Sequence, residues 1–246
     1  MKTIYIFLIL IGLFSCNQNI SEKKLNGTWY GIEKNSPVLV FRPDTLALFL
    51  VENPQNVLWK ANNRIIKFEY FPSNSKEIKK VEIEYQIKND TLETLFNGEK
   101  GIYLKANNYV EFLNKKFNLK FILPKNRKLK TLRNGKENGL RIFVGKRKGK
   151  IISKTEFSDN LNNLSNDINK FKLSFYNPMN LRQRLHYRVF ADKNISKSKM
   201  EKVYRTLRKS KIKKIVRIYE VGNNGNWNYE HIRFDKNKLL PTAYNR

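Results

Sequence analysis

Residues 81–104 read VEIEYQIKNDTLETLFNGEKGIYL. Val81, Ile83, Tyr85 and Ile87 alternate with charged or polar residues, the period of two that suits a strand with one buried face. Asn89-Asp90 and Asn97-Gly98 break the run, and both pairs accept the left-handed backbone of a tight hairpin turn. The stretch therefore predicts three meandering strands at 81–87, 92–95 and 102–104.

The same pattern extends toward the N-terminus. Strands are predicted at 28–32, 38–41, 46–51, 57–60 and 65–70, separated by Pro43-Asp44, Asn53-Pro54 and Asn62-Asn63. Eight short strands with no helical stretch between them predict an antiparallel barrel or sandwich over residues 24–112. Closure would remove exposed strand edges, and eight strands suffice to hold one small ligand.

The opening Leu25-Asn26-Gly27-Thr28-Trp29-Tyr30 resembles the first strand of lipocalin-like domains, with its Gly-x-Trp. Tyr85-Gln86-Ile87-Lys88-Asn89-Asp90-Thr91-Leu92 is similar to a late hairpin of compact lipocalin-like lipoprotein domains. The resemblance implies structural roles for Gly27 and Trp29, the indole packing across the closed end of a small barrel. Strands this short leave little interior, which favours a side-chain-filled barrel over a ligand cavity.

After Phe112 the pattern changes. Residues 113–118 read as a linker and 119–246 as a second, α+β domain. Extended runs at 140–144 and 150–153 flank the turn 145–149. Phe157, Leu161, Leu164, Ile168 and Phe171 then form one apolar helical stripe, with Thr155 or Ser158 as its cap. A further extended run at 185–191 precedes Met200, Val203, Tyr204 and Leu207 at helical spacing, and 212–221 is extended again. Strands alternating with helices predict a two-layer unit with the helices on one sheet face.

Arg188-Val189-Phe190-Ala191-Asp192-Lys193-Asn194-Ile195, the helix from Met200 to Leu207 and Ile212-Lys213-Lys214-Ile215-Val216 resemble the periplasmic domain of the ExbD/TolR biopolymer-transport family. Phe121-Ile122-Leu123-Pro124 is similar to the segment that enters that domain. Asp192, at a strand end before a helix, is expected to be structural, as a cap. Members that couple to proton flow carry an aspartate in a membrane helix. The one long apolar run here, residues 4–14, has no acidic residue, so the chain is not expected to act alone as a motor subunit.

That run, IYIFLILIGLF behind Lys2, has the layout of a secretory signal. As a helix it would rise only about 16 Å against a bilayer core of ~30 Å. It ends in Leu13-Phe14-Ser15-Cys16, which resembles a bacterial lipobox. The resemblance implies a signal peptide over 1–15, a lipid on Cys16 and a tether over 16–23. Asn17, not Asp, follows the cysteine, the sorting pattern expected of an outer-membrane anchor facing the periplasm. Cys16 is the only cysteine, so no disulfide joins two parts of the chain.

Charge divides the chain as the strand pattern does. The net +28 arises almost wholly in residues 113–246, where thirty-five Lys/Arg face nine Asp/Glu, whereas residues 24–112 hold twelve against eleven. Composition rich in Lys, Asn and Ile accounts for part of the lysine, but not for its one-sided placement. Basic clusters fall at Lys146, Arg147, Lys148 and Lys150, at Arg182, Arg184 and Arg188, and from Lys197 through Lys214. With the apolar stripe of the second helix buried, Lys199, Lys202, Arg205, Arg208 and Lys209 are expected to face an anionic partner. Peptidoglycan carboxylates, anionic lipid and an envelope protein complex fit that charge. Nucleic acid would fit too, but export makes it an unexpected partner.

Catalytic and cofactor signatures are missing. His186 and His231 stand 45 residues apart with no cysteine or carboxylate at ligand spacing. There is no Gly-x-Ser-x-Gly elbow and no phosphate-cradling glycine loop, and Glu82 and Glu84 read as a solvated strand face. The expectation is a non-catalytic envelope lipoprotein without a cofactor that docks to a periplasmic partner. The alternative is a lipocalin-like carrier or sensor of a small apolar ligand, which an apolar pocket above about 300 Å³ within residues 24–110 would favour.

Overall fold

A computed structural model describes residues 19–33, 36–49, 55–70, 77–126, 139–174, 185–210, 212, 214–221 and 226–232. The signal segment and Cys16 lie outside them. The chain divides into two compact units, Met1–Phe112 and Leu113–Arg246. No helix among the described residues is long and apolar enough to cross a membrane.

The first unit is a closed eight-stranded antiparallel barrel, which decides between the two all-β readings. Its strands are β1 (Gly27–Gly31), β2 (Val38–Phe41), β3 (Thr45–Phe49), β4 (Gln55–Ala61), β5 (Ile65–Tyr70), β6 (Lys79–Lys88), β7 (Thr91–Phe96) and β8 (Glu99–Lys105). β1 closes on β8 with Trp29 opposite Lys105 and Gly31 opposite Tyr103. In general shape the barrel is lipocalin-like.

Alternate residues point inward, and Trp29, Phe41, Leu46, Trp59, Ile66, Phe68 and Leu92 join one packed cluster. Both buried indoles find acceptors: Trp29 donates to the Leu25 carbonyl at 2.6 Å and Trp59 to the Arg42 carbonyl at 2.9 Å. Asn89 and Asn97 sit at φ +54° and +49° in the hairpin turns, as their sequence signal requires.

Two segments read as unstructured are helical. Residues 19–23, expected in the tether, belong to helix α1 (Asn19–Leu25). Leu25 is fully buried, and the helix is bonded to the β4–β5 turn by Ser21 Oγ to Asn63 Oδ1 at 2.7 Å. The expected linker 113–118 is helical through Phe117, within α2 (Tyr109–Phe117). Its start is organised by Asn108 Oδ1, which accepts the Glu111 N–H at 2.9 Å. Apolar alternation scores neither helix well, because each is short and owes its order to packing.

In the second unit a five-stranded sheet runs in the order β10-β9-β11-β12-β13. Its strands are β9 (Gly139–Arg147), β10 (Lys150–Thr155), β11 (His186–Ala191), β12 (Ile215–Val221) and β13 (Asn226–Ile232). β11 is parallel to both β9 and β12, whereas β10 and β13 pair antiparallel at the edges. β13 carries no clear alternation and was not expected, and the run 212–221 pairs only from Ile215.

Helices α3 (Leu164–Leu173) and α4 (Lys197–Arg208) share one core with Leu140, Ile142, Val144, Tyr187, Val189 and Ala191. The opposite face is covered too, so the two-layer reading was incomplete. Phe117 packs on Phe143 at 4.3 Å between ring centres, and Phe121 lies 6.1 Å from the same ring. Asn114 holds Phe121 through both its backbone groups.

The first helix of this unit is shorter than its stripe. Phe157 and Leu161 precede it, in a turn made by Thr155, whose Oγ1 accepts the N–H groups of Phe157 and Ser158 at 3.0 Å each. Neither Thr155 nor Ser158 caps α3; its N-cap position is Asn163. Both hydroxyls instead donate to the buried Asp167 carboxylate in the first turn of that helix.

Candidate functional site

The site begins where β11 ends. Asp192, nearly fully buried, accepts the Asn194 N–H at 2.7 Å through one oxygen and the Ile122 N–H at 2.8 Å through the other. Lys193 N–H donates to the Ile122 carbonyl at 2.8 Å. These bonds set the turn that launches α4. Asp192 is thus structural, but it is not the helix cap, since Ser196 occupies that position.

α4 spends its whole apolar stripe on the sheet: Met200, Val203, Tyr204 and Leu207 are buried. At ~100° per residue, the direction opposite that stripe is occupied by Lys202, Arg205 and Lys209. Lys199 and Arg208 flank them, and all five are exposed. Glu201 is the only acidic residue of the helix, and its first turn has none. Lys197 and Lys199 therefore meet the positive end of the helix dipole, which disfavours cations there, and like charges three and four residues apart repel. Arg205 and Arg208, in the last turn, meet the negative end of the dipole and offset part of that cost.

The other basic clusters do not extend this ridge uniformly. Arg147 is a strap: its Nε donates to the Asn118 carbonyl at 3.0 Å, one Nη to the Phe117 carbonyl at 2.9 Å, and the guanidinium also meets Asp159. Arg188 is half-buried with its guanidinium 5.8 Å from the Phe190 ring centre. Lys146, Lys148 and Lys150 are exposed at the β9–β10 hairpin. Arg182, Arg184, Lys211 and Lys213 lie outside the described residues.

Sequence reading missed the polar group beneath α4. Tyr219 donates to Glu230 across 2.6 Å, and the Arg217 guanidinium stacks 5.5 Å from the Tyr219 ring centre. Burial raises both the Tyr219 and Tyr204 phenols, the latter to about 12. Both tyrosines are thus neutral at any physiological pH. Glu230 comes from β13, so no local signal could have joined it to Tyr204.

The chain matches no family model, no curated protein and no solved structure.

Chemistry must then be read from geometry. Among the described residues no group of three or more His, Cys, Asp or Glu could hold a metal. Glu82 pairs with Lys67 at 2.5 Å on the exposed strand face, so it is a solvated ion-pair member, and Glu84 beside it is exposed. The barrel interior along the described strands is occupied by its own side chains. A concavity of about 870 Å³ lies against β4, β5 and β6, lined both by exposed residues such as Leu58, Lys67 and Glu82 and by Val57, Trp59, Phe68 and Val81 of the barrel core. It is open to solvent, not an enclosed chamber.

Proposed function

We propose that the chain is a non-catalytic lipoprotein of the bacterial envelope, anchored through Cys16 in the outer membrane and facing the periplasm. It docks through α4 to an anionic partner, for which the free carboxylates of peptidoglycan fit best. An acidic face of an envelope protein complex is the other partner of matching chemistry. In this reading the barrel is a lipocalin-like module and the second unit an ExbD/TolR-like one. One observation carries the docking role: α4 buries all its large apolar residues and turns Lys199, Lys202, Arg205, Arg208 and Lys209 outward. A helix with no apolar residue left outside cannot insert among acyl chains, so its contact is electrostatic. The carrier reading would use the open concavity against β4, β5 and β6, whose exposed rim carries Lys67, Lys80 and Glu82.

Co-sedimentation of the chain with purified peptidoglycan tests this. Binding is expected at low salt and should weaken steeply as salt shortens the Debye length to ~8 Å and below. Amidating the wall carboxylates should abolish it. Salt-independent binding, or none at low salt, defeats the docking role. Cys16→Ser should release the protein from membranes or stall its processing, and unchanged membrane association with normal cleavage defeats the anchor.

A further inference from the structure

We infer that the barrel lies against the membrane by one particular end, the end that carries α1, and that anionic phospholipid headgroups are its partner there. The inference rests on the Cys16 anchor and adds what the anchor alone leaves open, namely which surface meets the bilayer.

Reach comes first. Only Asn17 and Gln18 separate Cys16 from Asn19, the first residue of α1. Three residues span at most about 10 Å fully extended. An acylated Cys16 therefore brings the first turn of α1 to the headgroups.

The helix cannot then swing the barrel away, because it is clamped along its length. Ser21 bonds Asn63 at 2.7 Å, Glu22 accepts the Ala61 N–H at 3.3 Å, Lys105 donates to the Lys24 carbonyl at 3.1 Å, and Trp29 holds Leu25. Each of these partners belongs to a different strand or turn of the same barrel end. The β2–β3 turn closes there too, since Phe41 pairs with Gly27 at the start of β1.

The surface presented has the chemistry of a headgroup contact. Ile20, one residue into α1, is 48% exposed. Around it the described end exposes Lys23, Lys24, Arg42, Arg64 and Lys88, in a domain whose total charge is close to balanced. The acids of this end are Glu22, half-buried against the Ala61 amide, and the exposed Asp44 and Asp90, so the cations outnumber them. At the far end the exposed charges balance, Glu33, Glu77 and Glu99 against Lys79, Lys80 and Lys100, although Ile78, Leu95 and Phe96 are exposed there too. Juxtamembrane cations favour anionic lipid, and an apolar side chain beside the acyl anchor adds to it.

The test uses the full, lipidated protein in vesicles of phosphatidylethanolamine with about a quarter phosphatidylglycerol, an anionic surface of the kind described. Pro43→Cys places a fluorophore at the α1 end and Glu99→Cys one at the far end; the acylated Cys16 takes no label. Flotation reads the anchor and headgroup-nitroxide quenching reads the orientation. Several-fold stronger quenching at residue 43 than at 99 is expected. Equal quenching, or more at 99, in protein that floats overturns the orientation and leaves the anchor standing. Failure to float overturns both. A spacer of about ten Gly/Ser residues between Gln18 and Asn19 then isolates the charge. Quenching at 43 should persist at low salt and fall to the level at 99 when the Debye length is ~3 Å, in 1 M salt. Its loss already at low salt overturns the headgroup contact.

Discussion

Trp29 donates its indole N–H to the carbonyl of Leu25 across 2.6 Å, and both side chains are fully buried. One bond thus ties the last residue of α1 to the first strand of the barrel. Trp29→Phe keeps an aromatic ring but strands that buried carbonyl, at about 1–3 kcal/mol. Trp29→Ala also opens a cavity and should cost about 3–5 kcal/mol. Urea unfolding measures both, and an unchanged midpoint for the phenylalanine variant would show that the bond contributes nothing.

Thr155 is the pivot of the β10–α3 turn. Its Oγ1 accepts two backbone N–H groups and donates to Asp167 at 2.6 Å. Thr155→Val preserves shape while removing all three bonds, so a loss of about 2 kcal/mol is expected. Thr155→Ser keeps the hydroxyl and should retain most of the stability. Equal losses in the two variants would assign the effect to packing.

Asp159 couples the second unit to acid. Hydrogen bonds from Arg147 and Lys154, and the charge of Lys154, hold its carboxyl at about 2, below an ordinary 3.8. A depressed folded value means that the ion pair stabilises above pH ~4 and that this contribution disappears as pH falls toward ~2. Asp159 is 64% exposed on its side chain, so screening limits the contribution to about 1 kcal/mol at most. Asp159→Asn should lower stability at pH 7 and flatten its dependence between pH 4 and 2, read by denaturant midpoints across that window. Parallel pH profiles for the two proteins would remove Asp159 from the account.

The barrel was legible because most strands carry their own evidence: alternation across them and a turn pair after them. The strands at 38–41 and 65–70 are found with those bounds, and those at 57–60, 81–87, 92–95 and 102–104 each gained two to four residues where pairing continued past the apolar positions. α1 and α2 were not legible. Ser21 and Glu22 are ordered by Asn63 and Ala61, some forty residues away, and nothing local announces such partners. The stripe from Phe157 misled for a related reason, since Thr155 turns the chain before a helix can start. At the candidate site the basic face of α4 was readable from spacing alone. The Tyr219–Glu230 bond below it joins two strands, and Arg147 looked like surface charge until its carbonyl partners were seen.

α4 offers a test in which folding and docking move in opposite directions. Lys202, Arg205 and Lys209 stand three and four residues apart on its outer side, with Lys199 one turn earlier. Each such pair of like charges disfavours the helix by about 0.2–0.5 kcal/mol. Replacing Lys199 and Lys202 together by Gln removes the Lys199–Lys202 and Lys202–Arg205 repulsions and relieves the positive end of the helix dipole, without touching the buried stripe. The variant should therefore be slightly more stable than the parent, by on the order of 1 kcal/mol, with the gain largest at low ionic strength, where screening is weakest. Its binding to peptidoglycan should fall at the same time, and the salt dependence of what remains should be shallower. A surface under no demand except solubility would show the first effect without the second. Thermal midpoints and sedimentation on the same two preparations separate the cases. Greater stability with undiminished binding would remove α4 as the docking surface.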